Sequence, residues 1–220
     1  HLSVRNFYFS KDIMSKVVSV GSSSMFRSGL AVVSAIMLND LAGNYSDSVL
    51  AGIGVTNKIM MFPFSIILGF GSGFQPVAGF NWGAKLYDRV RESYRFSTWV
   101  AIVGATILSL VLAIFAEPII VLFAGDDPAM REVGALCIRL QCLALPVHAW
   151  VMVVNMLCVG LGNAKSAFFL ATARQGTCFI PILYVMDFFM GETGIASVQA
   201  VADILSLALA IPISIVGHKK

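Results

Sequence analysis

Cut at its charged and turn-forming clusters, the chain resolves into six long apolar runs, at about 13–38, 49–72, 96–117, 134–159, 165–190 and 195–216. Each is long enough for an α-helix to cross a bilayer, which takes about 20 mainly apolar residues. The breaks carry turn chemistry. Gly43, Asn44 and Asp47 lie between the first two runs, Asp126, Asp127 and Pro128 form a helix-start signal before the fourth, and GLGNAKS and MGETG separate the last three. Connections this short make the joined helices antiparallel neighbours. GFNWGAKLYDRVRES, between the second and third runs, is expected to form a short interfacial helix, with Lys85, Arg89 and Arg91 beside the aromatic anchors Trp82 and Tyr87.

Pro63, Pro146, Pro181 and Pro212 lie inside four of the runs, and Gly and Ser recur through the first two. Prolines are tolerated in membrane helices where neighbours satisfy the freed carbonyls, and small residues let helices approach closely. The expectation is therefore an all-α integral membrane protein, a six-transmembrane-helix bundle of bent, packed spans.

Composition agrees. The 220 residues are 58% apolar and 12% charged, with a mean hydropathy of +0.84, whereas soluble domains run about 45–50% and 25%. The net charge of +3 is less informative than its distribution. Arg5, Lys11, Lys16, Lys85, Arg89, Arg91, Arg95, Lys165, Lys219 and Lys220 outnumber Asp12, Asp88 and Glu92 at one set of helix ends. The opposite ends hold Asp40, Asp47, Glu117, Asp126, Asp127, Glu132, Asp187 and Glu192 with Arg131 as the single cation. By the positive-inside rule the basic side, with both termini, is expected in the cytoplasm. Such sorting gives a membrane topology and no nucleic-acid surface. Residues 1–12 and 217–220 are then cytoplasmic ends around the 13–216 bundle.

Charges inside the spans are costly unless paired or hydrated. They are Arg27, Lys58, Arg139, Arg174 and, as the one acid, Asp203. A structural ion pair of Asp203 with Arg27 or Arg174 is the leading reading, and an ion-coupling role for Asp203 the second. Lys58 and Arg139 lie near enough to an interface to snorkel. Along the fourth run Gln141, His148, Met152 and Asn155 share one narrow helical face. A polar and methionine stripe of this kind suits a cavity wall that adapts to varied ligands, or equally a hydrogen-bonded helix contact. Asn57, Met60 and Phe64 form a comparable face in the second run, and Gln199, Asp203 and Ser206 in the sixth.

Enzyme constellations do not emerge. The chain has no H-E-x-x-H, P-loop or G-x-S-x-G sequence, and two of its three histidines are at the extreme ends. Cys137, Cys142, Cys158 and Cys178 all fall within apolar runs and none makes a C-x-x-C pair, so buried thiols are expected in place of zinc ligands or disulfides. No cofactor is expected.

The string FGSGFQPVAGFNWGAK, through Gly71, Gly73, Gln75, Pro76, Asn81, Gly83 and Ala84, resembles the G-x-G-x-Q-P-x-x-x-x-N-x-G-A segment of multidrug and toxic compound extrusion (MATE) transporters. Stretches around Arg174, Gln175 and Pro181, and around Gln199 and Asp203, are similar to the same family. The resemblance implies the C-terminal lobe of a two-lobe, twelve-helix transporter, and hence a fragment that meets an N-terminal six-helix lobe, with residues 1–12 as the end of the cytoplasmic linker between the lobes. It implies a bacterial inner-membrane antiporter that exchanges amphipathic, often cationic xenobiotics for sodium or protons. Some members carry cation-site carboxylates on the first and fourth helices of this lobe. Residues 13–38 and 134–159 contain neither Asp nor Glu, so coupling is expected to rest on a carboxylate of the other lobe.

Two other readings remain. A lipid or lipid-linked oligosaccharide flippase would need several cavity arginines for phosphates, and only Arg27 and Arg174 are well placed. A membrane structural protein is the third.

Overall fold

The computed structural model describes residues 10–218, apart from the side chains of some residues between 13 and 27, of Gln175 and of residues 213–218. The described residues are helical nearly throughout, as α1 (Lys11–Tyr45), α2 (Asp47–Gly83), α3 (Tyr87–Ile114), α4 (Ala116–Ala124), α5 (Pro128–Gly160), α6 (Ala164–Thr172), a π-helical turn (Ala173–Thr177) and α7 (Phe179–His218). Among the described residues, four helices are long and apolar enough to cross a membrane: α2, α3, α5 and the stretch Phe179–Pro212 of α7. In α1 the apolar run is diluted by serines and Arg27, and α6 is cut short by the π turn.

Local chemistry sets the helix ends. The Asp127 carboxylate accepts from Ala129 N–H at 3.0 Å and Met130 N–H at 3.1 Å, with Pro128 at the start of α5, as the Asp-Asp-Pro signal predicts. Ser46 Oγ caps α2 by accepting from Val49 N–H at 3.2 Å. At the far end of α5, Gly162 takes φ 72°, while Gly162 N–H donates to Val159 O at 3.0 Å and Asn163 N–H to Cys158 O at 2.9 Å. This is a Schellman closure. The end of α2 makes the same closure with Lys85 at φ 59°, where Leu86 N–H donates to Asn81 O at 2.9 Å.

The expected interfacial helix at 79–93 does not form. α2 runs on through the Gln-Pro segment to Gly83, and α3 starts at Tyr87, so this stretch is split between two long helices by a tight turn. Trp82 and Tyr87 pack edge to face across that turn, ring centroids 4.9 Å apart. The chain also breaks after Ile114 into the separate short helix α4.

The runs expected at 165–190 and 195–216 share α7, which turns back at Gly191 (φ 57°, ψ −130°). The hairpin is plain from its contacts: Ser197 Oγ donates to Met186 Sδ at 3.9 Å, whereas an unbroken helix would hold these residues about 16 Å apart. A Cβ on Gly194 would collide with Met186 O.

α5 is the central post, and among its buried residues are Ile138, Leu145, Ala149 and Val154. It runs parallel to α2, and glycines bring the two backbones together near both ends. A Cβ on Gly52 would stand 3.2 Å from Met130 O, and one on Gly160 would stand 2.7 Å from Gln75 O. Thr56 Oγ1 bridges the first crossing by donating to Gly52 O and Gly134 O at 2.9 and 3.3 Å. Side chains at the acid-rich end tie the remaining elements together. Tyr45 Oη donates to Asp187 at 2.8 Å, and Arg139 meets Glu117 of α4 at 3.4 Å. The Tyr45 hydroxyl is thereby held above its ordinary pKa, because it donates to a carboxylate.

Candidate functional site

Between the glycine crossings the α2–α5 pair borders a cavity of about 520 Å³, within the range that holds a drug-sized molecule. Asn57, Met61, Phe64, Ser65 and Leu68 line it from α2, and Gln141, His148, Val151, Met152 and Asn155 from α5. Ser28 and Ala31 of α1, Leu170 and Ala171 of α6, Arg174 of the π turn and Gln199 of α7 complete the lining.

All four members of the fourth-run stripe, Gln141, His148, Met152 and Asn155, stand in this wall. Asn155 also has a structural bond, as Nδ2 donates to Ala167 O at 3.0 Å and holds α6 against α5. Of the second-run trio, Asn57 and Phe64 reach the cavity, but Met60 does not. Met60 is fully buried in the core between α2 and its neighbours, and Met61 lines the cavity in its place. At 100° per residue the stripe is centred between Asn57, Met61, Phe64 and Leu68, which leaves Met60 turned away by nearly a quarter turn. Sequence reasoning missed Met61, Ser65 and Leu68; their spacing with Asn57 and Phe64 was the available signal.

Asp203 is 3% exposed and lies behind the cavity wall. Arg174 Nε donates to its Oδ1 at 2.5 Å, and Gln199 hydrogen-bonds it as well. His148 Nδ1 lies 3.8 Å from the same oxygen, too far for a hydrogen bond. Phe64 closes the group: its ring meets the His148 ring edge to face at 4.8 Å between centroids, and the Arg174 guanidinium carbon stands 5.4 Å from its centroid. The arginine partner of Asp203 in this structure is thus Arg174; the Arg27 side chain lies outside the described residues. The two members of the pair come from α7 and from the π turn, whose wider winding sets Arg174. Gly176 in that turn accepts Leu30 of α1 so closely that a Cβ would overlap it.

Two buried polar atoms of the α5 wall, Gln141 Oε1 and His148 Nδ1, have no hydrogen-bond partner. Buried polar atoms are otherwise almost always satisfied by protein, water or ligand. Among the described residues no group of three or more His, Cys, Asp or Glu is arranged to hold a metal ion.

The family-motif residues occupy the last turns of α2, away from the cavity lining, and serve its packing. A Cβ on Gly71 would stand 3.0 Å from Met156 Cγ, the Gln75 carbonyl receives Gly160, and Asn81 Nδ2 donates to Val77 O at 2.8 Å. Gly73 and Pro76 lie on the same helix, Gly83 ends it and Ala84 caps it. Lys58 is exposed on α2.

The MatE family profile matches residues 24–185. The chain is 22% identical over 201 residues to the multidrug export protein MepA of Staphylococcus haemolyticus, covering 91% of this chain and 44% of that protein. Its fold is similar to the Vibrio cholerae MATE transporter VcmN in the bent form (TM-score 0.87, 17% identity, 98% of this chain and 49% of that one). A MOP superfamily transporter from Pyrococcus furiosus is likewise similar (TM-score 0.88, 17% identity, 100% and 50%). The chain therefore spans about half the length of the curated relatives it matches.

Proposed function

Because this chain belongs to the MatE family, we propose that it forms one six-helix lobe of a secondary active multidrug efflux transporter in a bacterial inner membrane. A second lobe supplies the rest of the central cavity, and the ends bearing the basic residues face the cytoplasm. The observation that carries the reading is the cavity beside the α2–α5 pair, whose walls combine Met61, Met152 and Phe64 with the amides of Asn57, Gln141 and Asn155. Methionine and aromatic side chains adapt to flat apolar molecules of different outline, and amides serve as donor or acceptor as needed. Amphipathic small molecules fit such a wall. Alternating access needs two bundles moving about a central site, and one lobe provides half of it.

The energy source is a sodium or proton gradient. Among the described residues the cavity lining contains no carboxylate, and Asp203 behind it is tied to Arg174. This supports a coupling carboxylate in the other lobe.

The test is ethidium efflux from energised vesicles containing the natural protein, with the proton and sodium gradients collapsed in turn. Export that stops with one gradient supports the reading and names the ion. Absence of gradient-dependent export of ethidium and of other amphipathic dyes would sink it.

A further inference from the structure

Arg174 is the only charged residue that lines the cavity among the described residues. It is also incompletely used. Among the described residues its one hydrogen-bond acceptor is the Asp203 oxygen, met by Nε, and its side chain remains 16% exposed. The guanidinium plane is fixed from two directions, by Asp203 on the Nε edge and by the Phe64 ring 5.4 Å from Cζ. Among the described residues the two terminal nitrogens have no acceptor, and they form a planar fork of donors matched to the two oxygens of a carboxylate.

The surroundings favour such an occupant. Asp203, 3% exposed, offsets the arginine charge from behind but is shielded from a ligand. A bare cation entering here would meet a guanidinium and no accessible acid. Beside Arg174, Phe64 and Met152 offer apolar contact. Gln141 and His148, 6% and 3% exposed, each keep a buried polar atom without a partner in the same cavity. The arginine also stands on a π turn, a winding retained mostly where function requires it.

We propose that Arg174 is an anion anchor: it holds the carboxylate of amphipathic aromatic ligands, so this lobe selects zwitterionic or acidic aromatics over purely cationic ones. The inference rests on the efflux reading above and names the substrate class for the same cavity. A zwitterion would place its carboxylate on Arg174 and its aromatic body along Phe64 and Met152. Its cationic end would then point out of this lobe.

The experiment uses the natural protein, purified in detergent, with rhodamine B and its methyl ester as probes. The two share a cationic chromophore and differ in the free carboxylate. A guanidinium–carboxylate contact in a partly desolvated site predicts about tenfold tighter binding of the acid. In Arg174→Lys, which keeps a countercharge for Asp203 but loses the fork, that preference should fall to less than about threefold. Equal affinity of the unaltered protein for acid and ester would overturn the proposal, and so would a preference that survives Arg174→Lys. The comparison on the unaltered protein decides the matter even if the variant does not fold. Gradient-driven export of the ester is read separately: its absence counts against the efflux reading, whereas export without acid preference counts against the anchor alone.

Discussion

Arg174 and Asp203, 29 positions apart in sequence, meet at 2.5 Å across the hairpin that turns at Gly191. The contact explains how Arg174 persists in a wall whose other described side chains are apolar or neutral polar, with Asp203 as its counterion behind it. Asp203 is enclosed and Arg174 is half-buried, so each makes the other tolerable at this depth.

Removing one member should therefore cost more than removing both. Asp203→Ala leaves Arg174 without its counterion and is expected to destabilise the protein by about 3–5 kcal/mol. The double variant Arg174→Met with Asp203→Leu, which replaces the pair by apolar bulk, should recover most of that loss. Thermal unfolding in detergent, arranged as a double-mutant cycle, gives the coupling directly. Additive single effects would show that the pair is not energetically joined.

A second prediction concerns the glycine crossings. A Cβ on Gly160 would stand 2.7 Å from the Gln75 carbonyl, which is backbone, whereas one on Gly134 would meet the Ile120 side chain at 2.5 Å. A side chain yields by changing rotamer and a helix backbone does not. Gly160→Ala should thus be the more damaging, by about 1–3 kcal/mol, measured as the monodisperse fraction in size-exclusion chromatography after a heat challenge. Equal tolerance of the two alanines would mean that α2 and α5 can part at the Gly160 crossing.

Much of this architecture is legible along the chain, and the exceptions have physical causes. The Asp126–Asp127–Pro128 signal and the GLGNAKS break mark real helix ends because capping and left-handed closure are local chemistry. The α5 stripe was readable because a wall on one helix repeats with helical period. Met60 was misplaced for Met61 because two adjacent methionines differ by only 100°, and the trio chosen was one of two that the spacing allowed. The π turn was not legible. It adds one residue to a helical turn without any Pro or Gly pattern that distinguishes Ala173–Thr177 from α-helix, and only the meeting of Arg174 with Asp203 in space shows its consequence. The sequence left Asp203 a choice between two arginines, which the fold resolves through the hairpin at Gly191.

Asp127 supplies a pH-dependent contribution. Ser48 donates to its carboxylate, as do the Met130 and Ala129 N–H groups, and Arg131 is nearby, so its pKa is held below the ordinary 3.8. A depressed folded-state pKa means that the stabilisation is present above the unfolded-state value and is lost as pH falls through the folded one. Asp127→Asn keeps a capping oxygen but does not titrate. The stability difference between the natural protein and this variant should be constant near neutrality and shrink below about pH 4. Unfolding midpoints recorded from pH 7 to pH 3 supply the check, and a difference unchanged across that range would remove the carboxylate from the account.

The neighbouring methionines of α2 separate stability from selectivity. Met60 is fully buried in the core, so Met60→Ala opens a cavity among α2, α3 and α5 side chains and should cost about 2–5 kcal/mol. Met61 is 68% exposed and lines the cavity. Truncating it removes ligand contact and little packing, so Met61→Ala should leave the unfolding midpoint nearly unchanged. On the proposed efflux reading it should also alter the rank order of dyes exported, because bulky planar cations and smaller ones depend differently on a flexible wall. Efflux of ethidium and of rhodamine B methyl ester, measured side by side in both variants and normalised to folded protein, distinguishes the roles. If Met60→Ala reorders the dyes and Met61→Ala only lowers stability, the assignment of the α2 face to the cavity is reversed.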